Sequence, residues 1–230
     1  MTPRQQQILH AIVELYAGTA EPVGSLALCK QFETSSATIR SEMAELERLG
    51  YIMQPHISAG RIPTDKGYRA YVNAIDEPRH DKRHEQAMAR RVHSAGEVER
   101  AIKNAVESLA HVTANLGLGT LGSNLYMSGM ASLFLQPEFR AADSAYEIAR
   151  LLDSLEEWLA EAAPGGPISC YIGRENPVGR ASGATLIISR FESPYSNRSY
   201  IGVLGPTRQN YANVMGLVQY TGQLLEEALN

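Results

Sequence analysis

The chain has 230 residues, 44% of them hydrophobic and 20% charged, with a formal net charge of -4 and an isoelectric point near 5.9; that is room for one large domain or two small ones, each with a core of its own. No apolar run reaches the roughly 18 to 20 residues that cross a bilayer, residues 1–7 lead into no export-signal core, and Cys29 and Cys170 form no C-x-x-C pair, so neither a disulfide framework nor a cysteine zinc site is suggested, and a reducing, cytoplasmic setting is expected. The acidity is uneven: residues 1–75 carry seven Lys/Arg and seven Asp/Glu, residues 76–115 seven of each, and residues 116–230 seven against eleven, so a DNA-binding head on an acidic body is allowed, with weak binding to random DNA by a single head.

Thr2, Pro3 and Gln5 spell the start of a helix: a cap, a proline suited to the first turn, and the partner that completes a reciprocal capping box. Ile8, Ile12, Leu15 and Tyr16 follow at helical spacing, and residues 18–22 break the pattern. A short helix over 25–32 and a third running from the cap Ser35 to Leu49, stopped at Gly50, complete three helices with tight connections. In the third, Ile39, Met43 and Leu46 form an apolar stripe. Ala37, Ser41, Ala44 and Arg48, flanked by Thr38 and Arg40, form a small and polar face able to lie close to a DNA groove. Glu42, Glu45 and Glu47 speak for a plain solvated helix instead, because phosphate repels carboxylates. Residues 51–54 read as a strand and 58–61 as a turn, and Thr64 caps a fourth helix with Tyr68, Tyr71, Val72 and Ile75 on one face. Three helices followed by a ribbon make a winged helix-turn-helix. Its wing tip would hold His56, Ser58 and Arg61, and an arginine on a glycine-flexed tip suits phosphate or the minor groove.

The segments E-P-V-G-S at 21–25, S-S-A-T-I-R-S-E-M at 35–43, L-G-Y at 49–51 and Q-P-H-I-S-A-G-R-I-P-T-D-K-G-Y-R at 54–69 resemble the heat-inducible transcription repressor family HrcA. The resemblance implies a sequence-specific repressor of heat-shock (chaperone) genes rather than an enzyme. It further implies a homodimer on double-stranded DNA, at an inverted-repeat operator of the CIRCE type, and dependence on the chaperonin GroEL. No cofactor, metal or membrane partner is expected. Carried over residue by residue, Ser36, Thr38, Arg40 and Ser41 match the recognition helix, and His56, Ser58, Gly60 and Arg61 match the wing. Arg40 and its neighbours are expected to read base edges, and Arg61 and Arg4 to contact phosphates. Leu26 stands where the family usually has a basic residue, which removes a phosphate contact at the start of the second helix.

Residues 76–84 are a charged run, and Val92, Ala95, Val98, Ile102, Val106, Leu109 and Val112 give 86–116 the stripe of a linker helix. That stripe must be buried, either against its copy in a second subunit, the expected choice, or against its own chain. A strand over 125–130, a helix over 141–163, strands over 168–173, 184–191 and 198–205, and a closing helix over 210–229 describe a small α+β domain. The segments N-L-Y-M-S-G-M-A-S-L-F-L-Q-P-E-F at 124–139, Y-I-G-R-E-N-P at 171–177 and G-V-L-G-P-T-R-Q-N-Y at 202–211 resemble the later half of the repressor's GAF-like domain. Its earlier part and the family's inserted dimerisation domain have no counterpart between about 116 and 124. The expected organisation is α+β: a winged helix-turn-helix DNA-binding domain over 1–75, a linker and dimerisation helix over 76–123, and a reduced GAF-like domain over 124–230.

Other chemistry is weaker. G-L-G-T-L-G at 117–122 fits the dinucleotide-binding spacing, but a helix precedes it and a strand follows, the reverse of what that motif needs, so it reads as a flexible turn. His80 and His84 have a zinc-compatible spacing beside Arg79, Lys82 and Arg83, which repel a cation. The segment 205–208 enters the last helix, where an anion could bind with Arg208, near Tyr211 and Glu175. The alternative function is a small-molecule-sensing or protein-interaction regulator centred on the GAF-like remnant.

Overall fold

In the computed structural model, which describes residues 1–78, 81–162, 166–176, 180 and 182–230, the chain divides into two compact units. One contains Met1–Asp76 and Arg208–Asn210, the other Glu77–Thr207 and Tyr211–Asn230.

The first unit begins with α1 (Pro3–Thr19). Thr2 Oγ1 accepts from the Gln5 amide at 3.2 Å while Gln5 Oε1 accepts from the Thr2 amide at 2.9 Å, so two of the helix's orphan donors are satisfied reciprocally. Short connections then lead to α2 (Ser25–Phe32) and α3 (Ser36–Arg48), with Ala20 and Glu33 in left-handed conformations ending the helices before them. Ile39, Met43 and Leu46 of α3 are buried with Ile8, Leu9 and Ile12 of α1 and Leu28 of α2, as their i, i+4, i+7 spacing requires. Two short strands, β1 (Ile52–Met53) and β2 (Ile62–Pro63), pair antiparallel with Ile52 opposite Pro63. An antiparallel bridge between Val23 and Arg61, closed by two 2.9 Å backbone hydrogen bonds, adds a third edge that the sequence had not suggested. Thr64 then caps α4 (Asp65–Val72) by accepting from the Gly67 amide at 3.1 Å.

The second unit is built on a five-stranded antiparallel sheet of order β4-β3-β7-β6-β5. In chain order it comprises α5 (Lys82–His93), α6 (Val98–Thr113), β3 (Leu116–Leu121), β4 (Asn124–Ser128), α7 (Met130–Leu135), α8 (Ala142–Asp153), α9 (Leu155–Ala162), β5 (Ser169–Ile172), β6 (Ala184–Ser193), β7 (Ser196–Pro206) and α10 (Tyr211–Leu229). Strand alternation splits the core in two. Leu116 and Leu118 of β3, Leu186 and Ile188 of β6, and Tyr200 and Leu204 of β7 pack with Leu133, Phe139 and side chains of α8 and α9. The residues between them face α6 and α10, and α5 packs on those two helices. Asn176 is held inside by donating to the Ala184 carbonyl at 2.7 Å. Tyr211 is held by donating to the Thr207 carbonyl at 2.7 Å, with the Thr185 hydroxyl 3.1 Å away.

Four expectations need correction. The single linker helix is two helices, α5 and α6, broken at residues 94–97, where Gly96 takes a φ of +73°. Its stripe is covered within the chain: Ala101, Ile102, Ala105, Val106 and Leu109 are buried against the sheet and α10, so no second copy is needed to hide it. The glycine-rich run at 117–122 is the strand β3 rather than a flexible turn. Gly117 and Gly119 face α6; a side chain at Gly117 would meet the Val106 carbonyl oxygen, and one at Gly119 would come 2.9 Å from the Val106 side chain. Glycine is used there for close approach of helix to strand, and only residues 122–123 turn the chain into β4. The helix expected over 141–163 is likewise broken at Ser154 into α8 and α9.

Among the described residues no helix is long and apolar enough to cross a membrane. His80 lies outside the described residues, and among those described no group of three or more His, Cys, Asp or Glu side chains could hold a metal ion.

Two expected outcomes follow from this packing. Ile102→Ala should lower stability by about 2 to 5 kcal/mol, by the same amount in urea titrations at two protein concentrations; a loss that grows on dilution would mean that a second subunit covers the stripe. In the first unit, burial holds the pKa of His10 below its ordinary 6.5, against an opposing pull from Glu14. The unfolded chain therefore takes up the proton first, and this contribution to stability is present above pH 6.5 and lost as the pH falls below it. Denaturation at pH 7.5 and 5.5 should show that loss, and His10→Phe should flatten it.

Candidate nucleic-acid interface

Burial of the α3 stripe leaves Ala37, Arg40, Ser41, Ala44 and Arg48 exposed on the other side of the helix. The start of α3 is tightly organised: Ser35 Oγ accepts from the Thr38 amide at 3.1 Å and lies 2.9 Å from the Thr38 hydroxyl. Ser36 Oγ lies 2.9 Å from Ser25 Oγ at the start of α2, and Arg40 Nε donates to that same Ser25 oxygen at 3.3 Å. These side chains tie the two helices of the helix-turn-helix together at the end where a recognition helix meets bases. Ser25, Arg40, Met43 and wing residues 58–61 line a groove of about 360 Å³.

The three α3 carboxylates that argued against a DNA surface are each engaged. Glu42 accepts from Gln5 Nε2 at 3.0 Å. Glu45 accepts from Arg48 through both carboxylate oxygens, at 2.6 and 2.7 Å. The hydrogen bond from Arg48 holds the Glu45 carboxyl below its ordinary range, and the same bond raises Arg48. Glu47 accepts from Arg61 Nε at 3.0 Å and from the Gln54 amide at 3.1 Å, and pairs with Arg61 Nη2 at 2.9 Å. Glu45 and Glu47, each set against an arginine, repel an approaching phosphate less than solitary carboxylates do, while Glu42, held by a neutral amide, keeps its charge.

The wing places its residues unevenly. His56, Ile57 and Ser58 are exposed at the tip, where Ser58 takes a φ of +67° and Ile57 is 93% exposed. His56 Nδ1 lies 3.3 Å from the Ile57 carbonyl. Gln54 Nε2 crosses the loop to the Ala59 carbonyl at 3.1 Å. Arg61 is not at the tip with His56 and Ser58: it sits at the root, paired with Val23 through its backbone and with Glu47 through its side chain. Gly60 beside it permits this approach, since a side chain there would lie 2.5 Å from the Val23 backbone. Arg4 is exposed in the first turn of α1, and Leu26, in the first turn of α2, is 72% exposed.

Sequence reasoning missed the Glu47–Arg61 pair, whose members are fourteen residues apart and share no periodicity. It also missed Lys66, which donates to the Leu49 carbonyl at 2.8 Å and lies 4.5 Å from the Tyr51 ring centroid, closing the C-terminal end of α3. Ile57 was in plain view, an apolar residue in a polar turn.

In the second unit the residues expected near an anion serve the fold instead, Tyr211 through the bonds already described and Glu175 by accepting from the Ile172 amide at 3.0 Å. A half-open cleft of about 340 Å³ lies elsewhere in that unit, lined by Thr120, Ser123, Glu156, Leu159, Arg198 and Tyr200.

Comparison with known proteins agrees with this geometry. Residues 1–76 match the family described as winged helix-turn-helix transcription repressor, HrcA DNA-binding, and residues 66–215 match the HrcA protein C-terminal domain. The heat-inducible transcription repressor HrcA of Brevibacillus brevis is 26% identical over an alignment of 334 residues covering all of this chain and 98% of that protein. The repressor of the same name from Desulforudis audaxviator is 27% identical over 335 residues, covering 98% of this chain and 97% of its own. A Thermoanaerobacter HrcA reaches 57% identity over 74 residues, 31% of this chain and 22% of that protein. A crystal structure described as a hypothetical protein at 2.2 Å resolution shares the fold, with a TM-score of 0.82 at 19% identity over 100% of this chain and 98% of its own. On the two family matches and the full-length likenesses together, the chain belongs to the HrcA family of heat-inducible transcription repressors, and its first 76 residues are that family's winged-helix DNA-binding domain.

Proposed function

We propose that the chain binds, as a dimer, an inverted-repeat operator of the CIRCE type and thereby represses chaperone genes in the cytoplasm, with the chaperonin GroEL as its protein partner. The observation that carries the DNA-facing part of this reading is the outward face of α3. It is small and polar, with Arg40 set in a hydroxyl network and with its three neighbouring carboxylates engaged by donors of the same chain. Ser36, Thr38, Arg40 and Ser41 supply base and backbone contacts in the major groove, and His56 and Ser58 approach the adjacent backbone from the wing. Arg4 meets phosphate from the start of α1. The charge supports the dimer: the head carries equal numbers of cations and carboxylates, so one copy alone has little electrostatic hold on DNA. Two heads on two half-sites supply the missing affinity through effective concentration. Nothing in this reading calls for a reaction, and the chain acts by occupying DNA.

A second reading, a small-molecule-sensing regulator, rests on the cleft lined by Glu156 and Arg198. A metabolite that raised the melting temperature would favour it.

Fluorescence anisotropy of a labelled inverted repeat, titrated at two salt concentrations against a duplex with one half-site scrambled, tests the operator reading. Binding should fall at least tenfold when one half-site is scrambled; equal, salt-sensitive binding to both duplexes would overturn it. Arg40→Ala should cost about 1 to 3 kcal/mol on the operator and relax the preference for it. The same loss on every duplex would instead make Arg40 a phosphate ligand.

A further inference from the structure

Glu47 touches both ends of the wing. From the last turn of α3, one carboxylate oxygen accepts from the Gln54 amide, where the chain enters the wing, at 3.1 Å. The other accepts from Arg61 Nε, where the chain returns, at 3.0 Å, and forms an ion pair with Nη2 at 2.9 Å. Arg61 is further fixed by its backbone, which exchanges two 2.9 Å hydrogen bonds with Val23. Its remaining nitrogen, Nη1, faces the Ala59 and Gly60 carbonyls at 3.4 and 3.5 Å. Only 22% of the arginine side chain is exposed, against 35% for the glutamate. The guanidinium is thus turned inward among acceptors of its own chain, and a phosphate could reach it only by displacing some of them.

We propose that Glu47 and Arg61 form a strut that fixes the wing against the C-terminal end of the recognition helix, so that both act in operator binding as positioning residues and Arg61 is not a phosphate ligand. This deepens the operator-binding reading and rests on it. The physical advantage is preorganisation: the wing loop is held at both roots before DNA arrives, and its ordering need not be made up from the contacts that the tip forms. Two guanidinium nitrogens set against one carboxylate oxygen, with the third nitrogen facing the wing carbonyls, fix an orientation as well as a distance, which a lysine at the same place could not reproduce.

The strut and the phosphate-ligand assignment predict opposite signs for one substitution. Glu47→Gln removes a negative charge from the DNA-facing unit. If Arg61 contacts phosphate, the change frees it and operator binding tightens; if the pair is a strut, binding weakens, by roughly tenfold. Arg61→Lys keeps the charge and loses the two-nitrogen grip, so a phosphate ligand would keep near wild-type affinity where a strut would lose about as much as Arg61→Gln. Affinities of the full chain for the inverted-repeat duplex, measured over a salt series, should show all three variants weakened with the wild-type salt slope. The double variant Glu47→Gln, Arg61→Gln should be no worse than either single one, because the two losses are the same loss.

Tighter binding by Glu47→Gln would overturn the proposal, as would a salt slope lowered by about one in Arg61→Gln, the mark of a lost phosphate contact. Amide exchange gives a readout that does not depend on DNA. Exchange at residues 54–61 should quicken in Glu47→Gln and Arg61→Gln while α1 and α3 keep their protection, and unchanged exchange there would also overturn the strut. Should the wild-type chain fail to prefer the repeat over the scrambled duplex, the operator reading fails, and the exchange data alone then decide the strut.

Discussion

Burying one stripe of α3 determines what the first unit presents to solvent. Ile39, Met43 and Leu46 enter the core with Ile12 and Leu28, and because successive residues of a helix are turned by about 100°, their positions leave Ala37, Arg40, Ser41 and Ala44 no direction but outward. Turning the helix by one residue would carry Arg40 toward that core, where an unpaired charge is costly. The surface offered to DNA is therefore fixed by packing alone, with no ligand needed to set it. The same logic governs the second unit, where Ile102, Val106 and Leu109 reach the sheet because β3 offers glycines to α6.

Charge is arranged with equal economy in the first unit, and with a consequence. Glu45 and Glu47 are matched by Arg48 and Arg61, and Glu42 is tethered by the neutral Gln5 amide; the two ion pairs reduce repulsion toward a polyanion but commit two of the unit's arginines to its own carboxylates. Surface ion pairs of this kind add little to stability, so their value lies in where they hold things. Arg48 and Glu45 are neighbours on one helix, and their pairing changes no geometry beyond it. Arg61 and Glu47 join a helix to a loop, and that pairing bears on shape. The distinction separates two arginines that composition counts alike.

Much of the first unit was legible because its signals are local. Thr2, Ser35 and Thr64 cap the helices that they were expected to cap, since a cap needs only the next three residues. The ribbon was legible for the same reason, in the polar turn between two short apolar runs. What stayed hidden was the non-local part: the Val23–Arg61 bridge spans thirty-eight positions and the Glu47–Arg61 pair fourteen, and no period relates either. In the second unit, residues 117–122 misled for a different reason. A strand that alternates leucine with glycine looks like a loop when glycine is read as flexibility, and it looks like a strand only once the helix that crowds it is known. The long stripe over 86–116 was real, but periodicity does not say what covers it, nor did it reveal the break at Gly96.

The chain is also short for its family: alignments that span nearly the whole of two relatives run over 334 and 335 positions against 230 residues here, so roughly a hundred positions of each have no counterpart. The central strands β3, β7 and β6 are buried between α6 and α10 on one face and a cluster with Leu133, Phe139 and α8 on the other, while the edge strand β4 stays partly exposed; β3 and β4 are joined by a turn of two residues with Gly122 at a φ of +59°, a conformation that glycine adopts at little cost. The register through that hairpin is continuous from Gly117 opposite Ser128 to Leu121 opposite Asn124, and a ladder without a bulge leaves no strain that an additional segment would have to relieve. The β3–β4 hairpin closes on itself at the place where the longer relatives' additional positions were expected, and the sheet order β4-β3-β7-β6-β5 is complete without a further strand between the two.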